Sequence, residues 1–166
     1  DDVLIGRGGD DQLLGGAGDD VLNGGAGADV LNGGTGTDRA QYSSATSGVL
    51  ADLMTPANNI GDAAGDVYVS IENLFGSRFD DALIGNNAGN HLYGIGGDDG
   101  LDGGFGDDFL DGGAGNDILM GGSGLDMLKG GTQADVFVFI DAAESTANAR
   151  RDVILDFEQG LDEIDL

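Results

Sequence analysis

Gly103-Gly104-Phe105-Gly106-Asp107-Asp108-Phe109-Leu110-Asp111 runs without a break into Gly112-Gly113-Ala114-Gly115-Asn116-Asp117-Ile118-Leu119-Met120 and then Gly121-Gly122-Ser123-Gly124-Leu125-Asp126-Met127-Leu128-Lys129. Three times running, glycine fills the first, second and fourth places, aspartate the sixth and leucine the eighth. Glycine adopts positive φ without steric cost, so this placement lets six residues curl tightly with their carbonyl oxygens aimed at one point. An aspartate closing such a loop adds a carboxylate to the carbonyls, and that hard-oxygen set is what calcium takes. The three remaining residues alternate about the leucine, as suits a very short strand with one side chain pointing inward. Loop and strand together make half a coil. Two nonapeptides then complete one turn of a parallel β-roll, with leucines inside and each ion between a loop and the one two repeats later.

The same frame extends in both directions. The chain opens on a half repeat, Asp1 to Ile5, so the sequence is expected to be a fragment, and the missing amino-terminal signal pattern carries no weight. Gly6 to Leu14 follows with Arg7 in the second place; Gly15 to Asn23, Gly24 to Asn32 and Gly33 to Gln41 complete a first block. Its inward positions are Leu4, Leu13, Leu22, Leu31 and Ala40. A second block runs from Gly76 to Val138. There Phe79 replaces the fourth-place glycine, Asn90 stands where the aspartate belongs, Gln133 replaces a glycine, and Phe137 replaces the leucine. The spacing is kept eleven times in all, which makes the pattern highly specific.

These nonapeptides closely resemble the repeats-in-toxin (RTX) family of secreted bacterial proteins. The run Arg151-Asp152-Val153-Ile154-Leu155-Asp156-Phe157, followed by Gly160 to Leu166, resembles the segment that closes the roll of serralysin-type metalloproteases. The resemblance implies an all-β fold, a right-handed calcium-stabilised parallel β-roll, in a protein exported by a type I system. It also implies that the chain continues into a carboxy-terminal secretion signal, most of which is expected to lie beyond Leu166. The interrupting residues Gly61 to Asp66 and Ile71 to Leu74 are similar to segments found between RTX blocks.

Four units are expected: a first roll block over residues 1–41, an interrupting β segment over 42–75, a second block over 76–138 and a capping segment over 139–166. The interruption holds the only proline, Pro56, between the alternating runs Val49 to Leu53 and Val67 to Ile71, and reads as two longer strands joined by a loop. From Val136 onward the side chains become larger, as expected of a cap over the open edge of a stack of coils.

The expected metal ligands are the sixth-place carboxylates Asp2, Asp11, Asp20, Asp29, Asp38, Asp81, Asp99, Asp108, Asp117, Asp126 and Asp135. Backbone carbonyls of loop residues such as Gly15, Gly24, Gly33, Gly94, Gly103, Gly112 and Gly121 complete them. Asn90 offers only a neutral oxygen, so a weaker or missing ion is expected there. Stacking pairs Asp11 with the loop of Asp29, Asp99 with that of Asp117, and Asp108 with that of Asp126. Counting such pairs gives on the order of eight Ca2+ ions, about three in the first block and about five in the second.

Composition narrows the partners. A formal charge of −25 with six lysines and arginines argues against nucleic acid or an anionic membrane, and favours cations. With 34 glycines and no cysteine, neither a disulfide framework nor a thiolate site is available. The glycine strings do not bind phosphate, because aspartates follow them, as in Gly16-Ala17-Gly18-Asp19-Asp20. Asp98 to Gly103 imitates an EF-hand but has glycine in the third place and no glutamate at the twelfth. A single histidine, His91, cannot make a multi-histidine zinc centre and is expected to face outward. Gly121 to Leu125 misses the last glycine of a nucleophile elbow. Paired carboxylates such as Asp19-Asp20, Asp80-Asp81 and Asp107-Asp108 read as a solvated residue followed by a ligand rather than as an acid and base. No catalytic constellation emerges. The expectation is a monomeric, extracellular, calcium-dependent folding module, the alternatives being the tail of a secreted protease, lipase or epimerase, or a module of an adhesin.

Overall fold

The computed structural model describes residues 1–140 and 151–166. It is all-β and parallel. Strands alternate between the two sides of a flattened coil, so residues 18 apart lie one above another: Leu4 opposite Leu22, Leu92 opposite Leu110, and Leu110 opposite Leu128. One side is a continuous sheet of eight strands. In order they are β1 (Val3–Gly8), β3 (Val21–Ala26), β5 (Arg39–Gln41), β8 (Asn73–Phe75), β10 (His91–Gly96), β12 (Phe109–Ala114), β14 (Met127–Thr132) and β16 (Val153–Ile154). The other side is divided. A short sheet holds β2 (Gln12–Ala17), β4 (Val30–Thr35) and β7 (Val67–Val69). A six-stranded sheet holds β6 (Leu50–Asp52), β9 (Ala82–Ile84), β11 (Gly100–Asp102), β13 (Ile118–Met120), β15 (Val136–Val138) and β17 (Glu163–Asp165).

The core is the eighth place of the repeat. Leu22, Leu31, Ala40, Leu74, Leu83, Leu92, Leu110, Leu119, Leu128 and Phe137 are wholly buried and form one column of contacts with Tyr42, Val49, Ala51 and Ile71. A coil this narrow admits one inward side chain per strand, so each leucine is covered by those of the coils above and below and by the facing sheet. Outside, seventh- and ninth-place side chains stack across strands. Phe75 and Tyr93 lie 4.3 Å apart, Tyr93 and Phe109 lie 5.6 Å apart, and the Arg39 guanidinium covers Phe75 at 4.5 Å. His91 is exposed and faces outward beside Phe109.

Three features differ from the sequence expectation. Several strands are six residues long rather than three, because pairing resumes in the second and third places of the following loop: Arg7 lies opposite Gly25 and Gly8 opposite Ala26. The register omits the first-place glycine each time, Gly6 in β1, Gly15 in β2, Gly94 in β10 and Gly112 in β12. The second difference is the interruption, which holds three short strands of three residues each, β6, β7 and β8, in three different sheets. β7 ends the sheet of the first block and β6 begins that of the second. Between them the chain makes 3-10 turns at Pro56–Asn58 and Gly61–Ala63. Third, the closing segment adds a strand in parallel register to the eight-stranded and to the six-stranded sheet, β16 on β14 and β17 on β15. Residues 141–150 of the expected cap lie outside the described residues.

Because every core leucine depends on both neighbours, Leu110→Ala in the middle of the stack is expected to cost about 2–5 kcal/mol. Leu4→Ala, at a half-buried position of the first strand, should cost about 1 kcal/mol. Guanidinium unfolding of both variants in saturating calcium measures the difference, and equal losses would mean that the coils do not depend on their neighbours for burial.

Candidate metal centre

Eight sixth-place aspartates, Asp20, Asp29, Asp38, Asp99, Asp108, Asp117, Asp126 and Asp135, make the same bond to the coil before them. In each, Oδ1 accepts the backbone N–H of the residue 18 positions earlier: Asp2 to Asp20 at 2.6 Å, Asp11 to Asp29 at 2.8 Å, Asp20 to Asp38 at 2.7 Å, Asp99 to Asp117 at 2.8 Å and Asp108 to Asp126 at 2.9 Å. Two ladders therefore run along the roll, one on each side, with Asn90 in place of a carboxylate in one and a break in the other where Val49 N–H meets Asp81. They are deeply buried; Asp29, Asp38 and Asp117 have no exposed surface.

The second carboxylate oxygen is the informative one. In Asp11, Asp20, Asp29, Asp38, Asp99, Asp108 and Asp117, Oδ2 is shut off from solvent and has no hydrogen-bond partner. A buried carboxylate oxygen left this way is costly unless something positive meets it. The first-place glycines show what else faces the same space. A Cβ built on Gly6 would meet Asp11 Oδ2 at 2.6 Å and the carbonyl oxygen of Gly24, one coil on, at 2.5 Å. The same two partners, the repeat's own carboxylate and the carbonyl of the next first-place glycine, crowd Gly15, Gly94 and Gly103. Those carbonyls belong to the residues that the strand register omits. Carboxylate and carbonyl oxygens thus converge, and only a glycine leaves them room.

No three His, Cys, Asp or Glu side chains cluster among the described residues, so backbone oxygens must supply most of any ligand set here. That suits calcium, which accepts carbonyls and carboxylates alike, and it does not suit zinc.

Backbone conformation separates open loops from closed ones. The second and fourth places are left-handed in nine loops, including three where the residue is not glycine: Arg7 at φ 81°, Ile95 at φ 84° and Gln133 at φ 84°. L residues rarely adopt this conformation, so the stack imposes it. In the loops Gly76 to Asp81 and Gly85 to Asn90, the second and fourth places, Ser77, Phe79, Asn86 and Ala88, are not left-handed. There the loop turns an N–H inward. Ser77 N–H donates to Asp81 Oδ2 and Val49 N–H to Asp81 Oδ1, so Asp81, expected alongside the others, has both oxygens occupied. Asn90 is closed in the same way: Asn86 N–H donates to its Oδ1, and its Nδ2 donates to the Glu72 carbonyl at 2.7 Å. Asp2 is exposed, and Asp135 lies buried against Gly130 in an open loop.

Four ladder members lie outside the two repeat blocks. Asp29 N–H donates to Asp66 Oδ1, Asp38 N–H to Glu72 Oε2, Asp126 N–H to Asp152 Oδ1 and Asp135 N–H to Asp162 Oδ1. A local signal marks all four. Each carboxylate directly precedes a strand, before Val67, Asn73, Val153 and Glu163, as Asp29 precedes Val30. The spacings of 37, 34 and 26 residues break the count of nines at Asp66, Glu72 and Asp152, whereas Asp162, 27 residues after Asp135, keeps the count but has no glycine loop before it.

Burial pushes Asp99 up to about 8, Asp108 to about 7 and Asp117 to about 6, and raises Asp29 and Asp135 as well. The ladder N–H opposes this, while neighbouring carboxylates, Asp81 and Asp117 around Asp99 and Asp126 around Asp108, add to it. Without metal the folded chain therefore holds more protons than the unfolded one. Its stability is present in acid and falls as pH rises from the ordinary carboxylate range through about 6 to 8. In chelator, circular dichroism is expected to show β structure increasing as pH drops from 8 to 6; a spectrum unchanged over that range would contradict the burial of these groups in the metal-free chain.

Comparison with known families agrees with this geometry. Residues 5–40 match the model described as RTX calcium-binding nonapeptide repeat, in four copies. Residues 27–166 match the model described as Peptidase M10 serralysin C terminal. No curated protein matches the chain. With most of its length covered by the second model and its opening coils by the first, this chain belongs to the serralysin carboxy-terminal family and carries RTX calcium-binding repeats.

Proposed function

We propose that this chain is a calcium-induced folding and stabilising module of a bacterial protein exported by type I secretion, and that it is not itself catalytic. One observation supports this above others: buried carboxylate oxygens without hydrogen-bond partners recur at coil spacing beside carbonyls that the strand ladder omits. The ligands are the open loops closed by Asp11, Asp20, Asp29, Asp38, Asp99, Asp108, Asp117, Asp126 and Asp135, with their backbone carbonyls. Asp81 and Asn90 act instead as hydrogen-bond hubs at the start of the second block. In a calcium-poor cytoplasm, repulsion among the ladder carboxylates keeps the chain open for export; outside the cell, ions join the loops and the roll closes. The module is monomeric, with roll blocks over residues 1–41 and 76–138, a linking segment over 42–75 and a cap over 139–166.

A second reading is favoured by the matched peptidase family: the module is the tail of a secreted metallopeptidase, which it stabilises and whose catalysis lies elsewhere in the parent protein.

Calcium titration followed by circular dichroism tests the main reading, with disorder expected in excess chelator at neutral pH and cooperative gain of β structure on adding calcium. Full β structure in chelator at pH 7.5 would sink it. Among variants, Asp117→Ala removes a central open-loop carboxylate and should raise the calcium midpoint about tenfold and lower the ion count. Asp81→Asn should leave the ion count unchanged. Equal ion counts for both variants would show that loop carbonyls suffice without the aspartates.

A further inference from the structure

Asp29 and Asp38 are the last sixth-place aspartates before the ninefold frame breaks, and a count of nonapeptides places no further loop beyond them. Their side chains are nevertheless wholly buried, and in each the Oδ2 has no hydrogen-bond partner. In the regular coils that atom faces the gap toward the following coil: Asp11 Oδ2 shares the space beside Gly6 with the Gly24 carbonyl, and Asp99 Oδ2 shares that beside Gly94 with the Gly112 carbonyl. The Oδ2 atoms of Asp29 and Asp38 occupy the same place in their own loops, against Gly24 and Gly33, and so face the coil built from the interrupting segment.

That coil keeps the connections of a regular one. Val67 N–H donates to the Asp29 carbonyl at 2.8 Å, as Val30 N–H does to that of Asp11 at 2.9 Å. Asp66 Oδ1 accepts Asp29 N–H at 2.9 Å and Glu72 Oε2 accepts Asp38 N–H at 2.8 Å. Gly65 lies directly on Ala28, where a Cβ would come within 2.8 Å of the alanine methyl. On their far sides, however, Asp66 and Glu72 meet donors of the protein itself. Tyr42 O–H donates to Asp66 Oδ2 at 2.8 Å, and Asn90 Nδ2 donates to the Glu72 carbonyl. The near side of this coil leaves carboxylate oxygens without partners and the far side is closed by hydrogen bonds.

We infer that two hard divalent cations, calcium in the reading above on which this rests, bind at the junction: one between the Gly24–Asp29 loop and the Gly61–Asp66 turn with Asp29 Oδ2 as ligand, the other between the Gly33–Asp38 loop and the segment at Glu72 with Asp38 Oδ2 as ligand. The interruption then extends the metal-bound stack of the first block by one irregular coil, and the hydroxyls of Tyr42 and Tyr68, which share a hydrogen bond, mark its end.

The test is anomalous diffraction from crystals of the full 166-residue chain saturated with terbium, which replaces calcium at oxygen sites. Peaks within bonding distance of Asp29 Oδ2 and Asp38 Oδ2 are expected. Peaks beside Asp11, Asp20, Asp99 and Asp108 with none beside Asp29 and Asp38 would overturn the junction sites and leave the loop sites standing; no peaks at all would remove both. In solution, terbium emission excited through tyrosine in a Tyr93→Phe background reads the same junction, because Tyr42 contacts Asp66 and the third tyrosine, beside the Gly94 loop, is removed. Asp29→Asn should lose most of that emission and Asp11→Asn, one coil further away, should keep it. Equal loss in the two variants would place the nearest ion at Asp11 and overturn the inference.

Discussion

Negative charge stacked at the spacing of a β-coil is the constraint on which the rest of this structure depends. A carboxylate from each open loop is buried directly above another, 18 residues apart along much of the roll, and each is held there by a backbone N–H of the coil before it. One N–H per carboxylate does not offset burial beside like charges, as the raised Asp99 and Asp108 show. The fold therefore requires a counter-charge, protons in acid or a cation at neutral pH. A core one leucine wide cannot supply that stability by itself, and with no cysteine in the chain no disulfide can substitute.

Loop conformation decides where the counter-charge can go. Left-handed residues in the second and fourth places turn N–H groups away and leave carbonyl and carboxylate oxygens facing one space, whereas Ser77 and Asn86 turn an N–H toward the sixth residue and close it. Glycine makes the open form inexpensive, but it is not required. Arg7, Ile95 and Gln133 take it under the pull of neighbouring coils, so occupancy of the second and fourth places by glycine is a good guide to an open loop and not a definition of one.

The interruption shows how a solenoid absorbs an insertion without breaking. On one side Ala40 pairs with Leu74 across 34 residues and the eight-stranded sheet continues. On the other, two strands are made where one would have sufficed, and the sheet divides between them. Tyr42 and Tyr68 fill the widened interior, and Asn59 joins them by donating to the Tyr68 hydroxyl. Larger side chains enter the core where the coil is wider, here and again at Phe137 near the cap.

Most of this architecture was legible in the sequence because a period of nine with fixed glycine, aspartate and leucine places leaves one economical arrangement: loops outside, leucines inside, repeats two apart in contact. Parallel pairing and the buried column from Leu13 to Phe137 both follow from local rules repeated without variation. What lay beyond the sequence is what happens between coils. Asp81 has the right residue in the right place, yet its loop is closed, because that depends on the φ of Ser77 and Phe79 and on Val49 arriving from a distant strand. Asp66, Glu72 and Asp152 carry no periodic mark, and Asp162 keeps the count of nines without a glycine loop before it, yet all four join the ladder because the chain before them brings each to the start of a strand at the correct height. A period reports what neighbours in sequence do alike; only the tertiary structure decides which irregular residue comes to rest in a regular place.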